Sequence, residues 1–75
     1  MADFKKLETH EILYGQGFFV EVALTQRDGE YTFVSMSKGS YEGEDKKYDK
    51  GMGFSVQCID GVIEALQKVK AKAER

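Results

Sequence analysis

The chain contains no proline and no tryptophan, and it has one cysteine and one histidine among its 75 residues. A single cysteine, Cys58, excludes an intramolecular disulfide, and one histidine, His10, is too few for a Cys/His metal centre. A domain of this length buries a modest share of its surface, and it commonly gains stability from a metal, disulfides or a partner chain. We therefore expect the chain to gain stability by self-association. The sequence also predicts no cofactor.

Long apolar runs are also missing. No stretch approaches the roughly 20 apolar residues that a membrane-spanning helix needs. The first residues, Met1 to Leu7, are polar and do not have the apolar core of a secretory signal. These absences predict a cytoplasmic or nucleoid-associated protein that does not enter a membrane.

The net charge is −2, and it is unevenly distributed. Residues 68–75 contain four basic side chains and one acid, whereas the rest of the chain contains seven basic side chains and twelve acids. Duplex DNA binding depends heavily on neutralising phosphates, so an acidic body argues against it. The same body argues less strongly against single strands, which are also held by base stacking.

Alternating apolar and polar residues predict two central strands. In Phe18 to Gln26, apolar side chains recur at every second position, as expected for a half-buried strand. Asp28-Gly29 follows, and this dipeptide is a strong signal for a tight hairpin turn. Tyr31 to Lys38 alternates again, so the two segments should pair as a hairpin.

The flanking segments complete a single α+β domain over residues 1–75. The prediction is a curved antiparallel sheet of about four strands, followed by one C-terminal helix whose apolar stripe covers one sheet face. Residues 1–10 are expected to form a flexible lead-in. The remaining elements are a short strand over Glu11–Tyr14, a hairpin arm or mobile loop over Gly39–Lys50, a final strand over Gly51–Val56, and the helix over Ile59–Lys72.

Residues that could support catalysis are scarce. His10 has no partner in the sequence and is interpreted as a solvated side chain. Cys58 stands at a strand-to-helix junction, where a thiol can be activated, but a small buried apolar role is the favoured interpretation. The acidic run in residues 42–49 lacks the spacing of a calcium loop and is interrupted by lysines. The sequence therefore predicts a protein that is not an enzyme.

Aromatic side chains on the second sheet face suggest a binding surface. If the helix covers one face, Phe19, Tyr31 and Phe33 on the other should be exposed, and exposed rings stack unpaired bases. The alternative is that Phe19 and Phe33 form a cross-strand pair that only stabilises the hairpin. The further candidate residues for contacts with nucleic acid are Arg27, Lys38, Tyr41, Lys46, Lys47, Tyr48 and Lys50.

The order of these segments resembles the single-stranded nucleic-acid-binding domains of the transcriptional coactivator PC4 family and the related Pur-type repeats. The similarity covers roughly Ile12 to Val69 and includes Phe19-Val20-Glu21-Val22, the Asp28-Gly29 turn and Phe54-Ser55-Val56 before the helix. The resemblance implies a curved four-stranded sheet, dimerisation through the helices and single-stranded DNA binding in transcription or replication. The chain departs from the family at Glu21 and Ala23, where basic residues are usual.

Two functions follow as hypotheses. The first is a homodimer that binds single-stranded DNA or RNA on its sheet and self-associates through the C-terminal helix, with Ile63 or Leu66 in the contact. The second is a protein-interaction module of the same fold, whose aromatic residues contact a partner protein instead. Salt distinguishes them, because binding of nucleic acid weakens steeply as salt rises. Under the first hypothesis, replacing Phe19 and Phe33 is expected to weaken binding with little loss of fold.

Overall fold

The computed structural model describes residues 3–74, which form one antiparallel sheet followed by a helix. Neighbouring strands in the sequence are neighbours in the sheet, in the order β1-β2-β3-β4. The predicted fold, a sheet of four antiparallel strands followed by a C-terminal helix, is confirmed. The elements are β1 (Phe4–Tyr14), β2 (Phe18–Arg27), β3 (Tyr31–Glu42), β4 (Asp45–Ser55), a 3-10 turn (Val56–Cys58) and α1 (Ile59–Ala73).

The N-terminal segment is a strand, so the predicted flexible lead-in is wrong for the residues that the structure describes; Met1 and Ala2 lie outside them. Strand β1 pairs with β2 along its whole length, from Phe4 opposite Arg27 to Tyr14 opposite Phe18. It is an edge strand, and edge strands commonly carry charged side chains that discourage pairing with other molecules. The polar composition of β1 therefore reflects its position at the sheet edge.

The segment Gly39–Lys50 is a hairpin arm, and the mobile-loop alternative is wrong. Strand β3 continues to Glu42, the chain turns through Gly43 with a positive φ of 65°, and β4 begins at Asp45. The predicted last strand also ends earlier than expected, because Val56 belongs to the 3-10 turn. The helix extends one residue beyond its predicted end, to Ala73.

The strand register defines two faces of the sheet. Directly opposite residues share a face, and successive residues alternate between faces. We call one side the ring face; its central residues are Phe19, Glu21, Ala23 and Thr25 of β2 and their partners on β3, from Phe33 to Gly39. The other side, the groove face, carries Val20, Val22 and Leu24 of β2.

The helix lies over the groove face, as the apolar stripe predicts, but it covers that face incompletely. A groove of about 430 Å³ remains between them, lined by Val22, Leu24 and Met36 of the sheet and by Ile59, Ile63 and Leu66 of α1. Among the described residues, the buried hydrophobic side chains are Phe19, Ala23 and Val34. Leu66 is 54% exposed and Val69 is 64% exposed. The chain thus has a small core and a largely uncovered helix stripe.

Candidate nucleic-acid interface

Phe19 is completely buried on the ring face, so the prediction of an exposed Phe19 ring is wrong. Its ring lies across Gly39, where an added Cβ would come within 2.8 Å of the ring atoms. A register shift between Lys38 and Gly39 turns Tyr48 towards this ring, with centroids 5.3 Å apart. The Lys46 ammonium lies 4.5 Å above the same ring. Phe19 is therefore a core residue beneath the β3–β4 arm.

A cluster of opposite charges, which we call the ionic cluster, covers the ring face beside Phe19. The Glu21 carboxylate is buried and accepts a hydrogen bond from Lys6 Nζ at 2.9 Å. Lys46 Nζ lies 2.7 Å from the Glu11 carboxylate and 3.4 Å from that of Glu21. The Tyr41 hydroxyl donates to Glu11 at 2.6 Å. Every charge of the ionic cluster thus has an oppositely charged neighbour.

The pKa values in the ionic cluster keep all four groups charged at neutral pH. Burial opposes ionisation of Glu21, but the hydrogen bond from Lys6 and the nearby Tyr48 hydroxyl outweigh it, so the pKa of Glu21 lies below its usual range. The hydrogen bond from Lys46 lowers the pKa of Glu11, and the same contact raises the pKa of Lys46. Lys46, predicted to contact phosphate, is neutralised by carboxylates of its own chain.

The other end of the ring face carries an exposed aromatic cleft, which we call the open cleft. The rings of Tyr31 and Phe33 are stacked, with centroids 5.8 Å apart and planes inclined by 20°. Phe4 meets Phe33 edge-on at 6.2 Å. Gly53 lies beneath, where an added Cβ would come within 3.1 Å of the Phe33 ring. The cleft measures about 250 Å³ and is bordered by Arg27.

Two hydrogen bonds between Asp3 and Asp28 hold the open cleft together at the β2–β3 turn. The Asp28 amide donates to the Asp3 carbonyl at 2.8 Å, and the Asp3 amide donates to the Asp28 carboxylate at 2.7 Å. Asp28 adopts a φ of 53°, which an Asp-Gly turn accommodates. These bonds fix the start of β1, so that Phe4 stands against Phe33. Sequence reasoning missed Phe4 because it placed this residue in the lead-in.

The candidate residues do not form one surface. Arg27, Tyr31 and Phe33 meet in the open cleft. Tyr41, Lys46 and Tyr48 instead surround Phe19, and Lys46 belongs to the ionic cluster. The remaining three candidates, Lys38, Lys47 and Lys50, lie on the groove face, because the register aligns them with Val20 and Ser40.

Within residues 3–74, the structure gives little indication of catalysis, metal binding or a membrane-spanning helix. His10 is exposed as predicted, and its Nε2 lies 2.7 Å from the Glu8 carboxylate. Cys58 is exposed, so the prediction that it is a buried apolar residue is wrong. It lies on the 3-10 turn, which packs little of its surface against the sheet. In this part of the chain no three His, Cys, Asp or Glu side chains converge on a metal position, and no helix is long and apolar enough to cross a membrane.

The chain was compared with known proteins at three levels. No model of a protein family, no curated protein and no solved structure matches it.

Proposed function

We propose that this protein binds single-stranded nucleic acid, DNA or RNA, in the open cleft, and that it does so as a homodimer acting in transcription or replication in the cytoplasm or nucleoid. One observation carries the proposal. Three aromatic rings converge at an accessible end of the sheet, and Tyr31 in particular is 54% exposed. Exposed rings on a sheet are a recurrent platform for unpaired bases.

The open cleft offers both kinds of contact that a strand requires. Base stacking on an aromatic ring contributes about 1–3 kcal/mol per base, whatever the base. Tyr31 presents one ring surface to solvent, because its other surface is stacked on Phe33. Arg27 is more than half exposed at the border of the cleft, and its Nε lies 3.6 Å from the Asp28 carboxylate, so a phosphate would have to compete with this exposed and therefore weak ion pair. Binding of this kind needs no catalytic group.

The dimer part of the proposal rests on the small core and the uncovered helix. A second copy of the chain would cover the exposed apolar stripe of α1, which includes Ile63, Leu66 and Val69. Burial of these side chains between two helices supplies stability that a domain of this size lacks by itself. The helix lies on the groove face, so dimerisation leaves both open clefts accessible on the ring faces.

Replacing Tyr31 and Phe33 together with alanine should weaken binding of a single strand at least about 5-fold, because the stacking surface for one base, worth about 1–3 kcal/mol, is lost. The measurement is fluorescence anisotropy with a labelled oligonucleotide of about 20 bases. Leu13→Ala is the matched control, since Leu13 is an exposed apolar residue at the opposite end of the ring face. Equal affinities of the double variant and the parent, with both proteins folded, would refute the open cleft as the binding site.

The second candidate function is a protein-interaction module of the same fold. The ionic cluster favours it, because Lys6 and Lys46 are neutralised by Glu21 and Glu11 and are not free for phosphate. The exposed rings of Phe4 and Tyr31 then serve as anchors for an apolar partner surface. Binding that persists unchanged as salt rises from low to moderate concentration identifies this second function.

A further inference from the structure

A second pair of exposed stacked rings lies at the β1–β2 turn, at the opposite end of the sheet from the open cleft. The centroids of Tyr14 and Phe18 are 5.7 Å apart, their planes are inclined by 24°, and each side chain is about half exposed. Gly15 has a positive φ of 58°, and an added Cβ there would come within 3.1 Å of the Phe18 ring. The Tyr41 amide donates to the Gly17 carbonyl at 2.7 Å, which fixes the turn.

Two lysines with the same charge lie beside these rings. Lys38 of β3 is directly opposite Lys50 of β4 on the groove face. Opposite residues of antiparallel strands have Cβ atoms about 5 Å apart, and like charges in such a pair destabilise the sheet. Within residues 3–74, neither ammonium forms an ion pair with a carboxylate. An anion placed between them would remove this repulsion.

The rings and the lysines belong to one continuous surface. Tyr14, Phe18 and Lys38 line a cleft of about 400 Å³, and Lys38 and Lys50 line the adjoining depression of about 320 Å³. Two carboxylates also border the first cleft. Glu42 is engaged by Lys47 at 3.1 Å, and Asp49 lies at the register shift of β4.

We propose that Tyr14, Phe18, Lys38 and Lys50 form a second contact site for single-stranded nucleic acid, with one base stacked on the rings and the adjacent phosphate between the two ammonium groups. The occupant follows from the chemistry of the surface. A simple anion does not require the rings, and an apolar protein surface gains nothing from burying two unpaired ammonium groups. A nucleotide unit can use the rings for its base and the two ammonium groups for its phosphate. The site lies on the other face from the open cleft and does not depend on it.

The test compares Lys38→Ala/Lys50→Ala with Lys68→Ala/Lys72→Ala, a control that removes the same charge from the exposed side of α1. A thymidine oligonucleotide of about six bases is titrated into isotope-labelled protein, and the amide shifts of residues 14–18 and 36–52 are followed. We expect saturable shifts in the parent and about tenfold weaker binding at these residues in the first variant. The slope of log affinity against log salt should fall by about 0.7, because one phosphate contact is lost. The first variant also loses a like-charge pair, so its melting temperature should not decrease.

The variant Tyr31→Ala/Phe33→Ala separates this inference from the proposed function. Shifts at residues 14–18 that remain in that variant support the second site even if the open cleft proves inactive. The inference is overturned if these residues do not shift in the parent, or if the shifts are equally strong after Lys38 and Lys50 are replaced. Shifts confined to residues 27–33 would retain the open cleft and reject the second site.

Discussion

Replacing Phe19 with alanine should leave the protein only marginally stable at room temperature. Phe19 is the largest fully buried side chain among the described residues, and its ring is enclosed by Tyr41, Lys46 and Tyr48. Removing a buried phenylalanine side chain costs about 3–5 kcal/mol, because apolar contacts are lost and a cavity remains. Small domains have total stabilities of about 5 kcal/mol or slightly more, so little would remain. Urea unfolding followed by circular dichroism measures the loss.

Phe18→Ala provides the matched control for this experiment. Phe18 is the adjacent residue, lies on the groove face and is about half exposed, so its replacement should cost about 1 kcal/mol. An equal, small effect of the two substitutions would show that Phe19 is not in the core. Because Phe19 is buried, we expect its replacement to cost much of the stability of the fold, contrary to the expectation from the sequence. Loss of nucleic-acid binding in a Phe19 variant would then report destabilisation and not a lost base contact.

Leu66→Glu should convert the proposed homodimer to monomer, or unfold the chain if the monomer is not stable alone. A twofold dimer contains each substitution twice, so two carboxylates would enter an apolar contact without partners. The apolar contribution of each leucine is about 1.5–3 kcal/mol. We therefore expect the dissociation constant of the dimer to rise at least about 100-fold. Analytical ultracentrifugation over a range of concentrations measures it.

Gln67→Glu controls for the added charge, because Gln67 is exposed and lies outside the apolar stripe of α1. It should remain dimeric at the concentrations at which Leu66→Glu is monomeric. If Leu66→Glu is folded and has the same sedimentation coefficient as the control, the helix stripe is not the dimer contact. A second copy of the chain would then not account for the uncovered apolar side chains of the groove face.

The central hairpin could be predicted from the sequence because its determinants are local. Apolar alternation in β2 and the Asp28-Gly29 turn specify the register of β2 and β3 without reference to the rest of the chain. Strand β1 could not be recognised in this way, since an exposed edge strand has no buried face to impose alternation. Its charged residues, such as Lys5 and Lys6, are equally common in flexible termini.

The burial of Phe19 illustrates what alternation cannot predict. Alternation assigns Phe19, Tyr31 and Phe33 to one face, but it does not say which part of that face is covered. The β3–β4 arm covers the part of the face that contains Phe19, because its register shift at Gly39 turns Tyr48 and Lys46 inward. One sequence signal was available: a glycine opposite a phenylalanine often marks a position where the ring lies across the neighbouring strand.

The two proposed binding surfaces differ in how far the sequence predicts them. Arg27, Tyr31 and Phe33 of the open cleft were predicted because the hairpin register places them together. Phe4 joins them through the Asp3–Asp28 hydrogen bonds, which no local pattern indicates. Tyr14 and Phe18 flank the glycine turn on the groove face, where the sequence predicts cover by the helix and therefore no exposed rings.

The central claim, that the sheet holds unpaired bases, is tested most directly by titrating the parent protein with a single-stranded oligonucleotide of about 20 bases and with a duplex of the same sequence, at low and moderate salt. The account predicts saturable binding that prefers the single strand and weakens as salt rises, with a shallow slope because few cationic groups are free. Absence of binding to the single strand even at low salt, or equal binding to the duplex, would contradict it.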